Sequence, residues 1–285
     1  MLLAIDAGNT SVTVGLFAAG TDGGAGELLG TWRLRSDPRM TSDELALVIR
    51  GFLTGPGTEP GFDPAAVTGV TALSTVPELL RSLRAMAPRY YPGAQHVILE
   101  PGVKTGVPLH VDNPREVGTD RVANAAGAFE VCGRSAGTPC IVVDFGTSTR
   151  VDVVSAKGEF LGGAIAPGVG SALDALAERT VALRRVELVP PRSVVGKNTV
   201  EALQSGIIYG FAGLVDALVR RALETVPDAR VIATGGYDDG VAAECATITD
   251  RRADLTLQGL RAVYLREIAS RATRAERKAH PRDSV

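Results

Sequence analysis

The chain has 285 residues, a net charge of −2 and a pI near 6.0, with 45% hydrophobic and 22% charged residues. This length allows two domains of ordinary size, and the composition is that of a globular protein. The charge balance gives no broad electrostatic basis for binding nucleic acid or an anionic membrane surface, so we expect neither as a partner.

Cysteine and histidine are both scarce, with three residues of each type. Cys132, Cys140 and Cys245 form no C-x-x-C pair and no metal-ligand spacing. Together with the scarcity of histidine, this argues against a zinc site and against a Ser-His-Asp triad. Met1 leads directly into a strand-like segment, and no run of consecutive apolar residues reaches the ~18–20 needed to cross a bilayer. We therefore expect a cytoplasmic protein.

The first half of the chain predicts the element order β-β-β-α-β-α-β. A helix is expected to begin at the N-cap Thr41, with Glu44 as the capping-box partner, and a second helix begins at Pro77. The strands are predicted as a hairpin over residues 1–17 followed by runs at 27–34, 67–73 and 97–99.

The second half repeats this order. Strands are predicted over 141–143, 151–154, 160–165 and 231–234, and helices around 170–179, 200–222 and 255–268. The pattern resembles a ribonuclease H-like domain seen twice, so we predict an α/β fold of two such domains with a nucleotide cleft between them. The expected ranges are an N-terminal domain over 1–121, a connecting helix and linker over 122–139, a C-terminal domain over 140–270 and a disordered tail over 271–285.

Two loops have nearly the same sequence, one in each half. Asp6 and Asp144 each end an apolar strand, and each is followed by a spacer, a glycine and hydroxyl side chains. A glycine allows close approach to a phosphate, and backbone N–H groups and hydroxyls can donate to its oxygens. The aspartate can hold a cation that bridges to phosphate. An ordinary hairpin turn explains one such loop equally well, but explains two poorly.

A third motif is N-P-R-E-V-G-T-D-R, residues 113–121, which opens the next helix. Asp120 could accept the proton of a hydroxyl nucleophile in phosphoryl transfer, and Arg121 could bind a carboxylate or phosphate. Helix N-capping by Asp120 together with a surface ion pair of Arg121 is the alternative, and the residues alone favour that alternative. Glycine turns at Gly162–Gly168 and Gly235-Gly236 expose further backbone after strands.

Taken in order, the motifs resemble the type III pantothenate kinase family, which belongs to the superfamily of acetate kinase, sugar kinases, Hsp70 and actin. The motifs are D-A-G-N-T, N-P-R-E-V-G-T-D-R, D-F-G-T-S-T, G-E-F-L-G-G-A-I-A-P-G, E-R-T-x-x-L, N-T-x-x-A-L-Q-S-G-I-I-Y-G and A-T-G-G, which span residues 2 to about 265. The resemblance implies phosphorylation of pantothenate by ATP with Mg²⁺ or another divalent cation, the first step of coenzyme A synthesis. It also implies K⁺ or NH₄⁺ as a monovalent cation, and a homodimer whose site is shared across the interface.

The resemblance also implies residue roles. Asp120 would be the catalytic base, Asp144 would bind the monovalent cation, and Asp6 could bind the divalent one. Pantothenate would meet Gly118, Thr119, Asp120, Arg121 and, from the neighbouring subunit, Thr180. ATP would be bound by Asp6, Ala7, Gly8, Asn9, Thr10, Ser11, Val12, Thr13 and Thr147.

Three positions depart from the family pattern. Ser148 and Arg150 stand where members usually carry Ala and Thr in D-F-G-T-A-T-T, and Val111 stands where many carry Tyr. Arg150 has three alternatives: it binds phosphate, it displaces the monovalent cation, or it points away. These departures motivate two competing functions, a non-catalytic homologue with a binding or regulatory role and a related kinase for another small hydroxylated acid.

Overall fold

Two compact units make up the computed structural model of the chain, which describes residues 1–20, 25–55, 61–179, 186–236 and 239–279. The first unit comprises Met1–Val107, Arg115–Gly127 and the residues from Thr256 onward. The second comprises Pro108–Pro114 and Ala128–Leu255. Each is built around one five-stranded sheet.

The first sheet has the strand order β3-β2-β1-β4-β5, in which β1 is antiparallel to β2 and parallel to β4. Its elements follow the predicted order. They are β1 (Leu2–Ala7), β2 (Ser11–Ala19), β3 (Ala25–Arg35), α1 (Ser42–Thr54), β4 (Gly69–Ser74), α2 (Pro77–Tyr90) and β5 (Gln95–Ile98), followed by α3 (Thr119–Ala128).

Helix α1 begins where the sequence predicts. The Thr41 Oγ1 accepts a hydrogen bond from the Glu44 N–H at 3.2 Å, and the Glu44 carboxylate accepts the Thr41 N–H at 2.8 Å, which completes the capping box. Leu45, Ile49 and Leu53 recur at helical spacing and are fully buried in the core of the first unit.

The second sheet has the order β10-β9-β6-β7-β8, again with its first strand central, antiparallel to one neighbour and parallel to the other. The elements are β6 (Cys140–Phe145), β7 (Ser148–Val154), β8 (Phe160–Pro167), α4 (Val169–Arg179), α5 (Thr199–Thr225), β9 (Arg230–Gly235), α6 (Asp239–Glu244) and β10 (Asp250–Arg251), and the last helix of the chain is α7 (Leu255–Ala279). The two sheets therefore give the α/β fold of two ribonuclease H-like domains.

Helix α5 meets the length and hydropathy expected of a membrane span, although the sequence contains no uninterrupted apolar run of that length. One such helix is weak evidence for a span. Ile208, Val215 and Val219 of α5 are fully buried and pack in the core cluster that includes Ile141 and Val143 of β6. The apolar character of α5 is explained by its place in the core of the second unit.

The observed division differs from the expected ranges at the C-terminus. Residues from Thr256 onward belong to the first unit, where the Thr256 Oγ1 donates to the Asn124 Oδ1 of α3 at 2.8 Å. The tail expected from residue 271 is helical to Ala279, because Arg271 pairs with Glu267 one turn earlier and donates to the His96 carbonyl oxygen at 3.1 Å. Residues 280–285 lie outside the described residues.

Candidate active site

The first aspartate–glycine loop connects β1 to β2 at one end of the first sheet. Asp6 lies opposite Thr13 in the antiparallel register, and the Gly8 N–H closes the turn by donating to the Ser11 carbonyl oxygen at 3.0 Å. The end of β4 supports the loop, since the buried Ser74 Oγ donates to the Ala7 carbonyl oxygen at 2.8 Å. Asn9 and Thr10 are exposed, which leaves a polar turn at the strand ends where α/β sheets bind ligands.

Gly8 is not required by the conformation of its own loop. Its φ is not in the left-handed region, and a Cβ there would lie 3.4 Å from the Ser11 carbonyl oxygen, close to ordinary contact. Gly146, in the second loop, has the same property, with its nearest neighbour 3.5 Å away. A glycine that the fold itself does not need is typical of a backbone that a ligand approaches closely.

The third motif forms the start of α3. The Gly118 carbonyl oxygen accepts the Val122 N–H at 3.2 Å, so Gly118 occupies the N-cap position and Asp120 lies inside the first turn. N-capping by Asp120 is therefore the wrong interpretation. The half-buried Asp120 carboxylate accepts the Arg121 N–H at 2.9 Å. A Cβ on Gly118 would come within 2.5 Å of the Asp120 Oδ1, so a glycine here keeps the space at the carboxylate open.

The second aspartate–glycine loop connects β6 to β7. The Gly146 N–H donates to the Ser148 carbonyl oxygen at 3.1 Å, and the Thr147 carbonyl oxygen accepts the Ser171 hydroxyl at 2.9 Å. Gly168 lies against this loop so closely that a Cβ would meet the carbonyl oxygens of Gly146 and Thr147 at 2.5 Å. The loop is therefore packed on one side by backbone alone.

Gly235, at the end of β9, lies beside the same loop in a left-handed conformation with φ of 102°. A Cβ there would collide with the Phe145 carbonyl oxygen and lie 2.9 Å from the Asp144 Oδ1. The sequence marked Gly168 and Gly235 as turns, and the structure places both against the second loop.

Asp144 is paired with Arg150. The two residues lie directly opposite each other on β6 and β7, and the Arg150 guanidinium donates to the Asp144 carboxylate. Both side chains are largely buried, with 16% of Arg150 and 10% of Asp144 exposed. Of the three alternatives for Arg150, the structure therefore does not have the one in which its side chain points away.

Within the described residues, the other ionisable groups give no competing metal or nucleophile site. Among the described residues no group of three or more His, Cys, Asp or Glu side chains could hold a metal ion. Burial raises the pKa of the Cys140 and Cys245 thiols to about 12, which removes them as nucleophiles at neutral pH. A divalent cation at Asp6 would then take most of its ligands from substrate phosphates and water, which is the usual arrangement for Mg²⁺.

The predicted residues fall into two groups. The first unit contains residues 6–13 and Gly118–Arg121, and the second contains Asp144 and Thr147. Thr180 lies outside the described residues. The supporting positions Ser74 and Ser171 were not predicted from the sequence. Their only signal was a hydroxyl residue at the end of a strand or near the start of a helix.

Comparison with known proteins identifies relatives over nearly the whole chain. Residues 2–221 match the family model of type III pantothenate kinase. The chain is 54% identical to the type III pantothenate kinase of Rhodococcus jostii, over 96% of this chain and 98% of the relative. It is 55% identical to that of Saccharopolyspora erythraea, over 95% of this chain and 100% of the relative.

A solved structure supports the fold independently. The activator of the 2-hydroxyisocaproyl-CoA dehydratase from Clostridium difficile, with bound ADPNP, superposes with a TM-score of 0.54. The match covers 96% of this chain and 97% of the activator, at 14% identity. At that identity the likeness shows the fold alone.

Proposed function

The chain belongs to the type III pantothenate kinase family, and on this premise we propose which role each of its site residues has in the reaction. The protein catalyses the ATP-dependent phosphorylation of pantothenate to 4'-phosphopantothenate, the first step of coenzyme A biosynthesis. The single observation that carries this function is the identity of 54% to a type III pantothenate kinase over 96% of the chain.

In the first unit, residues 6–13 bind the phosphates of ATP; Thr147, in the second unit, is assigned to ATP by the family resemblance. Backbone N–H groups of the first loop and the hydroxyls of Thr10, Ser11 and Thr13 donate to ATP phosphate oxygens. Gly8 supports this assignment, because its own loop has room for a Cβ at this position and so does not itself need a glycine there. Asp6 is the residue that would hold the divalent cation accompanying ATP, and such a cation would supply neutralisation of the phosphate charge.

Asp120 is the general base. It accepts the proton of the pantothenate hydroxyl while the hydroxyl oxygen bonds to the γ-phosphorus and the bond from that phosphorus to ADP breaks. The space that Gly118 leaves beside the Asp120 Oδ1 admits the hydroxyl.

Pantothenate itself carries a carboxylate, and Arg121 binds it through charge-assisted hydrogen bonds. Gly118 and Thr119 complete this side of the substrate site. Thr180 reaches pantothenate from the neighbouring subunit of a homodimer. Support for the homodimer comes from the second unit, where large apolar side chains between residues 165 and 200 are exposed, namely Ile165, Leu176, Val189, Val194, Val195 and Val200.

Asp144 needs a positive charge beside its largely buried carboxylate. The family resemblance assigns K⁺ or NH₄⁺ to this position. The ion pair with Arg150 places a different cation, the guanidinium, at the same carboxylate. We place the enzyme in the cytoplasm without nucleic-acid or membrane partners, in keeping with its net charge of −2.

The test is ADP formation by the purified protein with Mg²⁺ and ATP, with and without pantothenate. The expected result is pantothenate-dependent ADP formation with an equal amount of 4'-phosphopantothenate identified by mass spectrometry. A panel of other small hydroxylated acids separates this function from a related kinase. A folded protein that forms no phosphorylated product from pantothenate would overturn the proposal.

A further inference from the structure

The Asp144–Arg150 pair is built into the backbone register. β6 and β7 place the two residues directly opposite each other, where side chains on one face lie about 4.5–5.5 Å apart at Cβ. Asp144 and Arg150 share the face opposite Val143, Phe145 and Val151, which pack in the core of the second unit. The guanidinium therefore reaches the carboxylate without leaving the sheet.

The first unit shows what the same position looks like without the arginine. There Asp6 ends the equivalent central strand, and the residue opposite it is Thr13. The two loops thus share an aspartate, a glycine turn and an antiparallel register, and differ in the residue facing the aspartate. In the first unit this residue is neutral, and in the second it is a cation.

A second carboxylate adds negative charge to the same face of the sheet. Asp152 follows Arg150 by two positions on β7, so it lies on the same face, and it is 1% exposed. Removing Arg150 would therefore take a positive charge away from a face that carries two largely buried carboxylates. Loss of one member of a buried ion pair is destabilising, so a cation that took the place of the guanidinium would restore stability.

A monovalent cation at Asp144 does not fit this arrangement. It would have to displace a guanidinium that is attached to the adjacent strand, is 84% shielded from water and already donates to the carboxylate. We propose that the Arg150 guanidinium replaces the monovalent cation at Asp144, so that this kinase turns over without K⁺ or NH₄⁺. The inference rests on the proposed function for its activity readout, but not for its binding readout.

The experiment compares the wild type, Arg150→Thr and Arg150→Lys in KCl, NH₄Cl and choline chloride at constant ionic strength. Arg150→Thr gives the second loop the hydroxyl that faces Asp6 in the first. Arg230→Thr is the matched control, because Arg230 pairs with Asp250 at 3.0 Å in the same sheet but away from Asp144.

For the wild type, turnover is expected to agree within twofold in the three salts, with no difference in Tm between KCl and choline chloride. For Arg150→Thr, KCl should raise the Tm by about 2 °C or more over choline chloride and raise turnover at least about tenfold. Arg150→Lys should remain independent of K⁺, and Arg230→Thr should lose stability equally in every salt.

A wild-type Tm, nucleotide affinity or turnover that rises strongly in KCl would overturn the inference, and so would an Arg150→Thr variant that folds but ignores K⁺. If Arg150→Thr does not fold in any salt, the wild-type titration of Tm and of binding of a non-hydrolysable ATP analogue decides the question alone. Absence of pantothenate-dependent turnover would count against the proposed function and leave the Tm and nucleotide-binding readouts to decide this inference.

Discussion

Gly259→Ala tests whether the C-terminal helix positions the end of α3 that carries Asp120, the proposed base. A Cβ at Gly259 of α7 would collide with the Ala123 carbonyl oxygen and lie 2.5 Å from its carbonyl carbon. These are backbone atoms, which cannot rotate away as a side chain would. Overpacking of this kind costs about 1–3 kcal/mol, and the upper end applies because the obstacle is a helix backbone.

The replacement also brings a gain of about 1 kcal/mol, because alanine has the higher helix propensity. We therefore expect a net loss of about 2 kcal/mol in the free energy of unfolding. Gly51→Ala in α1 is the matched control, since a Cβ there meets nothing within 4 Å and should stabilise the protein by about 1 kcal/mol.

Urea unfolding followed by circular dichroism measures both variants. Ala123 follows Asp120 by one turn, so a displaced α3 should also lower kcat by about tenfold or more, since small errors in the position of a catalytic group are costly. A Gly259→Ala variant that is as stable and as active as Gly51→Ala would refute the reasoning.

Two further predictions concern the phosphate loop and the core of the second unit. Gly8→Ala should leave the Tm within about 2 °C of the wild type, because the loop has room for the added Cβ. The same Cβ should raise the Kd for ATP, measured by isothermal titration calorimetry, at least about tenfold, because it blocks close approach of the phosphates to the backbone. Unchanged ATP binding would show that the first loop is not part of the phosphate site. Burial raises the pKa of Asp216, but the hydrogen bonds from Thr247 and Ala246 outweigh burial, so the net pKa lies below the usual value. Asp216→Asn should therefore cost about 1–3 kcal/mol at pH 7. The difference should be constant above the unfolded pKa of about 3.9 and shrink as the pH falls through the lower folded pKa. A difference that stays the same throughout the acid range in which both proteins remain folded would contradict this.

Much of the fold could be predicted from the sequence because its signals are local. The capping box of Thr41 and Glu44 predicted the start of α1, which the structure confirms. The repeated strand–turn–strand pattern around Asp6 and Asp144 indicated the duplication, which the two sheets confirm.

The elements that escaped prediction are short or depend on distant contacts. α6 has six residues and β10 has two, which is too short for either to show a hydrophobic period in the sequence. The membership of α7 in the first unit depends on its contacts with α3, such as that between Thr256 and Asn124, which no local pattern contains.

The site shows the same limit. The sequence identified Asp120 and Arg121 but placed the helix cap on the wrong residue, because capping by Asp120 and by Gly118 differ only in backbone geometry. It noted Arg150 as a departure without choosing among its alternatives. That choice required the register between β6 and β7, which the length of the turn at Gly146 sets.

Steady-state kinetics of Asp120→Asn test the central claim most directly. The substitution keeps the size of the side chain and removes its ability to accept a proton, so kcat for pantothenate phosphorylation should fall by about 10²–10⁴ while the Kd for ATP and the Tm stay near those of the wild type. A kcat within threefold of the wild type, at equal folding and ATP affinity, would contradict the assignment of Asp120 as the base.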